Sequence, residues 1–360
     1  MLTKGNAGFE KVPKRALLIQ LGDIGDVVLS FPCARALSEH FPELSITMVV
    51  RHKAGDLVNC CPWVDETLWV DDTKKPVGQF IIDQTKFFRS IRQKHYDLAI
   101  DLRAGTRGAI LGFLSGATKR IGFFAEGEKF WRNLLFSDLA SPPPAKNQHM
   151  AQYYASLLSE FGVSTNNPWP QMVVPKNILH QVGKRLKSIR SDPKGPLVVI
   201  QPFSLWPYKE WGDEKFIELI HRIDKTNGPT VIITGAASEQ SRAAVIVEKA
   251  TTKTFNWAGQ TTLAQLAALL KHADIFVGLD SAGMHIAAAM GTSAVTIFGP
   301  SSSSDWAPRG ERHTAISPDR DCAPCFKMGC DGSRVSQCLL DLSVTRVFKT
   351  VIAHIGSARC

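Results

Sequence analysis

The sequence predicts an α/β protein built from two successive parallel-sheet domains, and three observations carry that expectation. Short apolar runs suited to strands buried on both faces recur along the chain, as in ALLIQL at residues 16–21 and IFVG at 275–278. Stretches of helical apolar period separate them, so strand and helix alternate twice. Between the two alternations lies a segment, residues 162–196, broken by Asn166-Asn167-Pro168, Pro170, Pro175, Pro193 and Gly195-Pro196, the texture of a linker.

In chain order, residues 16–21 read as the first buried strand. Gly22-Asp23-Ile24-Gly25-Asp26 follows as a glycine-rich turn, and a helix then runs to about His40 with Val28, Phe31, Ala34 and Leu37 on its apolar side. Pro32 fits that helix only near its first turn. Residues 45–50 are the next strand, giving a β-α-β opening with right-handed crossover. The turn lacks the third glycine of GxGxxG, so it is a poor dinucleotide fingerprint. A short strand at 67–70, a basic helix at 87–95 and a strand at 96–102 come next. Beyond them Arg103, Arg107, Lys119, Arg120, Lys129 and Arg132 fall in a region that reads as loop-rich. Six cations past the carboxyl end of a strand either face solvent or receive an anionic ligand. Residues 141–144 form a stiff turn before a helix at 149–161.

The second half repeats the scheme with strands at 197–201 and 230–234, helices at 215–225, 238–250 and 263–271, and the stretch ADIFVGLDSAGMHIAAAMGTSAVTIFGP at 273–300. There Asp280, Ser281 and Gly283 gather where a strand turns into a helix. Backbone N–H groups at a helix start, with the positive end of its dipole, can hold a phosphate without any basic side chain. The simpler alternative is that Asp280 or Ser281 only caps the helix. The expected boundaries are 1–165, a linker at 166–195, 196–340, and a C-terminal helix at 341–360.

Composition excludes several classes. With 44% hydrophobic and 21% charged residues the chain is of globular type, and no apolar run reaches the roughly 20 residues of a membrane span. Residues 1–15 carry charge and show no signal-peptide pattern, so a cytoplasmic location is expected. A formal net charge of +9 suits acidic partners. The cations come in scattered pairs such as Lys74-Lys75 and Lys119-Arg120, without a nucleic-acid-binding signature, so phosphorylated small molecules and anionic lipid are preferred over nucleic acid.

Four separated segments, GDIGDVVLSFP, YDLAIDLRAGTRGAILGFLSGATKRIGF, QPFSLWPYKEW and GLDSAGMHIAAAMGTSAVTIFGPSSSSDWAP, together resemble glycosyltransferase family 9, the ADP-heptose:lipopolysaccharide heptosyltransferases. The resemblance spans nearly the whole chain. It implies the GT-B architecture, two Rossmann-like domains with parallel sheets facing across a cleft, acceptor on the N-terminal one and nucleotide-sugar donor on the C-terminal one. It further implies inverting transfer of L-glycero-D-manno-heptose from ADP-heptose to the Kdo or heptose of the inner core, by direct displacement and without a cofactor. The acceptor, lipid A-core, would be met at the cytoplasmic face of the inner membrane, where a basic protein could dock peripherally.

Residue by residue, Asp26 takes the place of the family's catalytic carboxylate and Lys209 that of the lysine set against the donor diphosphate. Glu239 matches the acid that holds the ribose hydroxyls, Asp280 the aspartate aimed at the donor sugar, and Ser281, Ala282 and Gly283 the backbone that meets the phosphates. His285 stands at the family's histidine in a supporting part. Arg103, Arg107 and Arg120 are the candidates to meet the anionic acceptor. Ala282 replaces a glycine common in the family, and Gly22 and Asp23 replace small polar residues, which adds an acid beside Asp26. Two other functions are compatible with the fold: a GT-B transferase using another nucleotide sugar or acceptor, and a non-catalytic binder of nucleotide sugars or anionic polymers. The pairing of a base, Asp26, with a leaving-group cation, Lys209, argues against the binder.

Five of the eight cysteines lie from Cys322 onward. Cys322, Cys325, Cys330 and Cys338 have a spacing that resembles a metal-ligand set, and four thiolates suit a structural zinc. The second pair lacks CxxC spacing, so reduced thiols without metal stay equally open.

Overall fold

The structure, a computed structural model, describes residue 9 and residues 11–357 apart from 72, 74, 75, 145–147, 191, 194 and 252. Lys74-Lys75 and Cys360 lie outside the described residues. The chain divides into two units, Met1–Pro170 and Gln171–Cys360.

The first unit holds a six-stranded sheet of β1 (Arg15–Gln20), β2 (Ser45–Arg51), β3 (Glu66–Val70), β4 (Leu98–Asp101), β5 (Lys119–Phe123) and β6 (Asp138–Ala140). Every pairing is parallel and the spatial order is β3-β2-β1-β4-β5-β6. Leu17, Leu18 and Ile19 of β1 are fully buried. Removing each such side chain from water is worth about 1.5–3 kcal/mol, which is why an apolar run becomes a central strand.

The second unit repeats the plan with β7 (Leu197–Gln201), β8 (Thr230–Ile233), β9 (Thr254–Asn256), β10 (Ile275–Leu279), β11 (Ser293–Ile297) and β12 (His313–Ile316). Their order is β12-β11-β10-β7-β8-β9, again parallel throughout. A core of Val198, Ile200, Phe216, Ile220, Val277 and Val347 joins this sheet to the helices Asp213–Asn227 and Val344–Ser357. In each sheet the strand order reverses between the first and fourth strands in sequence, and ligands of such folds bind beyond the carboxyl ends of the strands flanking that reversal.

Several local expectations are corrected. The helix expected at 87–95 spans Val77–Arg92, starting right after Pro76. Its first half carries exposed Val77, Ile81 and Ile82, which blurs the amphipathic period that marks a surface helix. The region after Leu102, expected to be loop-rich, contains the helix Thr106–Leu114 as well as β5 and β6. Glycines at 108 and 112 weaken its helix propensity, and packing supplies the difference. Pro32 sits inside the helix Ile24–His40, not in its first turn. The edge strands β9 and β12 are too short for an alternation signal and were not expected. Among the described residues no helix is long and apolar enough to cross a membrane.

Candidate active site

The first strand-order reversal lies between β1 and β4, and Asp26 is beside it. Asp23 occupies the N-cap of the helix Ile24–His40, placing Asp26 one turn in, where its Oδ2 accepts the Asp23 N–H at 2.8 Å. Two further donors reach the same carboxylate from far along the chain. Arg103 Nη1, just past β4, donates to Oδ2 at 2.9 Å, and the Tyr154 hydroxyl donates to Oδ1 at 2.6 Å. Asp26 is 8% exposed and Tyr154 2%, while the Arg103 side chain is 45% exposed. Burial, and then the neighbouring Asp26 carboxylate, push the Tyr154 phenol well above its usual range, so it stays a donor at any working pH. The chain must turn tightly here: a Cβ on Gly22 would collide with Arg103 Nη1 and Asp26 Oδ2.

A second buried layer supports this one. Asp101, the last residue of β4, pairs with Arg132 at 2.9 Å, and both side chains are essentially inaccessible. Arg132 also donates to the carbonyls of Phe123, Gly105 and Arg103, so it braces the loop that carries Arg103. Burial pushes the Asp101 carboxyl up to about 7 against the pull of Arg132. A Cβ on Gly108 would strike the Asp101 carboxylate.

The cations expected around an acceptor are therefore not one cluster. Arg103 is at Asp26, and Arg107 donates to the Asp71 carbonyl at 3.1 Å. Lys119 and Arg120 open β5 in register with Leu98 and Ala99, at the amino end of the sheet, opposite the end that carries Asp26. Arg120 there donates to the carbonyls of Leu135 and Ala117, and Arg132 is a buried strut. Asp23, the additional acid, pairs with Lys53 and has Arg51 3.8 Å away.

The second reversal lies between β7 and β10, and the residues expected to hold a donor gather around it. Asp280 follows β10, is nearly buried, and its Oδ2 accepts from Lys209 Nζ at 2.5 Å. Ser281 occupies the N-cap of the helix Ala282–Ala289, yet its side chain makes no capping bond. The simple capping alternative for Asp280 and Ser281 thus finds no support in the side-chain geometry. Ser281 Oγ and, at the end of β7, Gln201 Oε1 are both buried without a hydrogen-bond partner among the described residues. A buried polar atom without a partner costs about 1–3 kcal/mol, and such atoms at a helix start suit an incoming polar ligand. Gly283 is required for the close fit, since a Cβ there would run into Gln201 Oε1. Ala282, half-buried at the first helical position, leaves the backbone as approachable as a small residue allows.

Glu239 follows β8, where its Oε2 accepts the Ala236 N–H at 2.7 Å, and burial is the main force raising its carboxyl above the usual range. Its first-turn role and a ribose-binding role are compatible, because Oε1 is not used by that bond. His285 is buried, its ring tilted against Trp306 at 6.4 Å. Of the residues around these two sites, the sequence reading missed Tyr154 and Gln201 altogether. A tyrosine inside an apolar helix face looks like ordinary core, and no local signal marks its hydroxyl partner.

Cys338 is buried, and burial followed by Cys330, Cys325 and Cys322 raises its thiol, so the four sulfurs share one neighbourhood. Among the described residues, however, no three His, Cys, Asp or Glu side chains are grouped so as to hold a metal ion.

Comparison with known proteins agrees with this fold. The model of glycosyltransferase family 9 (heptosyltransferase) matches residues 84–335. Lipopolysaccharide heptosyltransferase 3 of Escherichia coli is 26% identical over 289 residues, 79% of this chain and 83% of that one. A glycosyl transferase family 9 structure from Veillonella parvula superposes with a TM-score of 0.82 at 21% identity, covering 99% of both chains. The E. coli ADP-heptose LPS heptosyltransferase II superposes with a TM-score of 0.79 at 22% identity, covering 96% of this chain and 100% of that one. Two parallel sheets of this order are the Rossmann-like units of the GT-B class. The chain belongs to glycosyltransferase family 9, the heptosyltransferase family, and is a glycosyltransferase.

Proposed function

We propose that the protein transfers L-glycero-D-manno-heptose from ADP-heptose to the Kdo or heptose of the lipopolysaccharide inner core, with inversion at the sugar carbon. The observation that carries this reading is the Asp26 carboxylate at the first strand-order reversal, oriented by Tyr154 and Arg103. The relatives' names support the donor and the acceptor class.

In this reading the acceptor hydroxyl oxygen attacks the anomeric carbon as the bond from that carbon to the diphosphate oxygen breaks. The hydroxyl proton passes to Asp26, and ADP leaves with the electron pair. Lys209 and the N–H groups at the start of the helix Ala282–Ala289 meet the charge that grows on the leaving diphosphate. Glu239 takes the ribose, Asp280 faces the donor sugar, and His285 supports them by packing. Arg103 is the residue that must move. Its half-exposed guanidinium occupies Asp26 Oδ2, and turning toward the acceptor's own anionic group would free that oxygen to accept the proton. Arg107 is a second contact for the acceptor, whereas Arg120 is withdrawn from that role because of its place at the far end of the sheet.

The test is a donor panel: ADP-heptose, ADP-glucose, UDP-glucose and GDP-mannose, each with deep-rough core lipid lacking heptose and, separately, with core lipid that carries heptose, read by mass spectrometry. A heptose mass increment with ADP-heptose alone supports the proposal. Transfer from another donor moves the protein to the wider GT-B reading, and tight nucleotide-sugar binding with no transfer to any acceptor establishes the binder.

Tyr154→Phe keeps the ring and removes the hydroxyl that donates to Asp26 Oδ1. A hydrogen bond to a charged group is worth about 1.5–3 kcal/mol, and with it goes the contact that orients the carboxylate. Transfer should therefore slow by about tenfold or more, 1.36 kcal/mol per factor of ten, with ADP-sugar affinity unchanged. A lower Tm with an unchanged kcat would show that Tyr154 serves packing alone.

A structural metal on Cys322, Cys325, Cys330 and Cys338 is a separate proposal that rests on spacing. One zinc equivalent by elemental analysis in protein purified without chelator supports it. Metal-free protein of normal stability removes it.

A further inference from the structure

We propose that one face of the first unit is a docking surface for an anionic phospholipid bilayer, formed by the helix Val77–Arg92, the helix Thr106–Leu114 and the segment Gly127–Leu135. The helix Val77–Arg92 packs on Thr106–Leu114, which packs in turn on Gly127–Leu135, so the three make a continuous surface. Large apolar side chains are turned outward on all three: Ile81 is 56% exposed, Phe113 47%, Trp131 48% and Leu134 79%. Single exposed apolar residues are ordinary, but a contiguous set rimmed by polar groups marks a binding surface.

The rim is basic. Lys86, Arg89, Arg92 and Lys129 are exposed on these elements, whose only acids are Asp83 and Glu128. Between the end of the first helix and Leu114 lies a groove of about 530 Å³, with Phe88 and Leu114 presenting carbon and Arg89, Arg92 and His95 presenting positive or polar groups. An apolar floor with cations around it matches the junction of acyl chain and phosphate in an anionic lipid. Trp131, exposed on the segment Gly127–Leu135, suits the same depth, where amphipathic rings settle.

Charge chooses among occupants. A second copy of the chain would bring the same basic face against itself, and like charges facing each other cost free energy. An anionic surface is attracted, by about 1 kcal/mol for each Lys or Arg near it. The proposal rests on the lipid-linked acceptor reading only for its purpose; the surface would bring the enzyme to a membrane-held acceptor.

The test is cosedimentation of the intact chain with vesicles, independent of donor or transfer. Vesicles of phosphatidylcholine with one-quarter phosphatidylglycerol are compared with phosphatidylcholine alone, at low and high salt. Binding is expected to the anionic vesicles and to weaken with salt. Removing two cations in Lys86→Ala/Arg89→Ala should lower the partition coefficient by about tenfold or more. Ile82→Ser/Leu134→Ser should also lower it, with Tm preserved because both side chains are exposed. Equal binding to both vesicle types, or undiminished binding by both folded variants, overturns the proposal. So does a dimer, seen by analytical ultracentrifugation, that Ile82→Ser/Leu134→Ser dissolves, since the face then belongs to a second copy. Vesicle binding without transfer from any donor would instead tell against the proposed reaction while leaving the surface intact.

Discussion

Asp26→Asn should lower kcat by about 10² to 10⁴ while leaving ADP-sugar affinity near normal. The substitution keeps the size of the side chain and removes its capacity to take a proton. Its cost in stability is predictable from the three donors that converge on the carboxylate. An amide offers one accepting oxygen, so at least one of Tyr154, Arg103 and the Asp23 N–H loses its partner, worth about 1–3 kcal/mol. The variant should fold with a lowered Tm. Nucleotide affinity should hold because the proposed donor residues belong to the other unit. If Asp26 serves only to start its helix, the pattern inverts, with a similar loss of Tm and little change in rate. Thermal unfolding, calorimetric binding of ADP-heptose and the transfer rate, measured on one protein, separate the two. A near-normal rate sinks the assignment.

Lys209→Ala should lower kcat by about 10² to 10³ and weaken ADP binding as well. The rate effect follows from losing a preorganised cation where charge develops, the binding effect from its contact with the diphosphate already present in the ground state. The structure adds a reason for a large effect. Lys209 neutralises Asp280 at 2.5 Å, so its removal leaves a nearly buried carboxylate beside the place proposed for the phosphates. Part of the loss is then repulsion by Asp280. The double variant Lys209→Ala/Asp280→Asn should recover some ADP affinity and little rate, a pattern simple misfolding would not give. Unchanged ADP affinity and unchanged kcat in the single variant would place Lys209 outside the reaction.

Much of this was legible from the sequence, and the reason is local. Buried parallel strands are written as apolar runs, because water must be excluded from both faces of each strand. That is why β1, β7 and β10 lie within a residue or so of their expected bounds. Turn chemistry is also written locally. Gly22 and Gly283 stand where any side chain would strike a site residue, and both turns stood out from composition alone. The helix Thr106–Leu114 was missed for the opposite reason, since its glycines suppress the local signal and only packing against neighbouring elements restores the helix.

What the sequence by itself determined is the pair of parallel α/β alternations, the two turns that end their first and fourth strands, and, through resemblance, the family. What only the tertiary structure decided is which distant side chains meet there. Arg103 reaches Asp26 across 77 residues and Tyr154 across 128, while Lys209 and Asp280 meet across 71. Arg120, close to Arg103 in sequence, is carried to the opposite end of the sheet by the parallel pairing of β4 with β5. Strand register and helix packing are set by the burial of the whole core. No window of sequence contains that information, because the free energy that selects one register is spread over residues far apart in the chain.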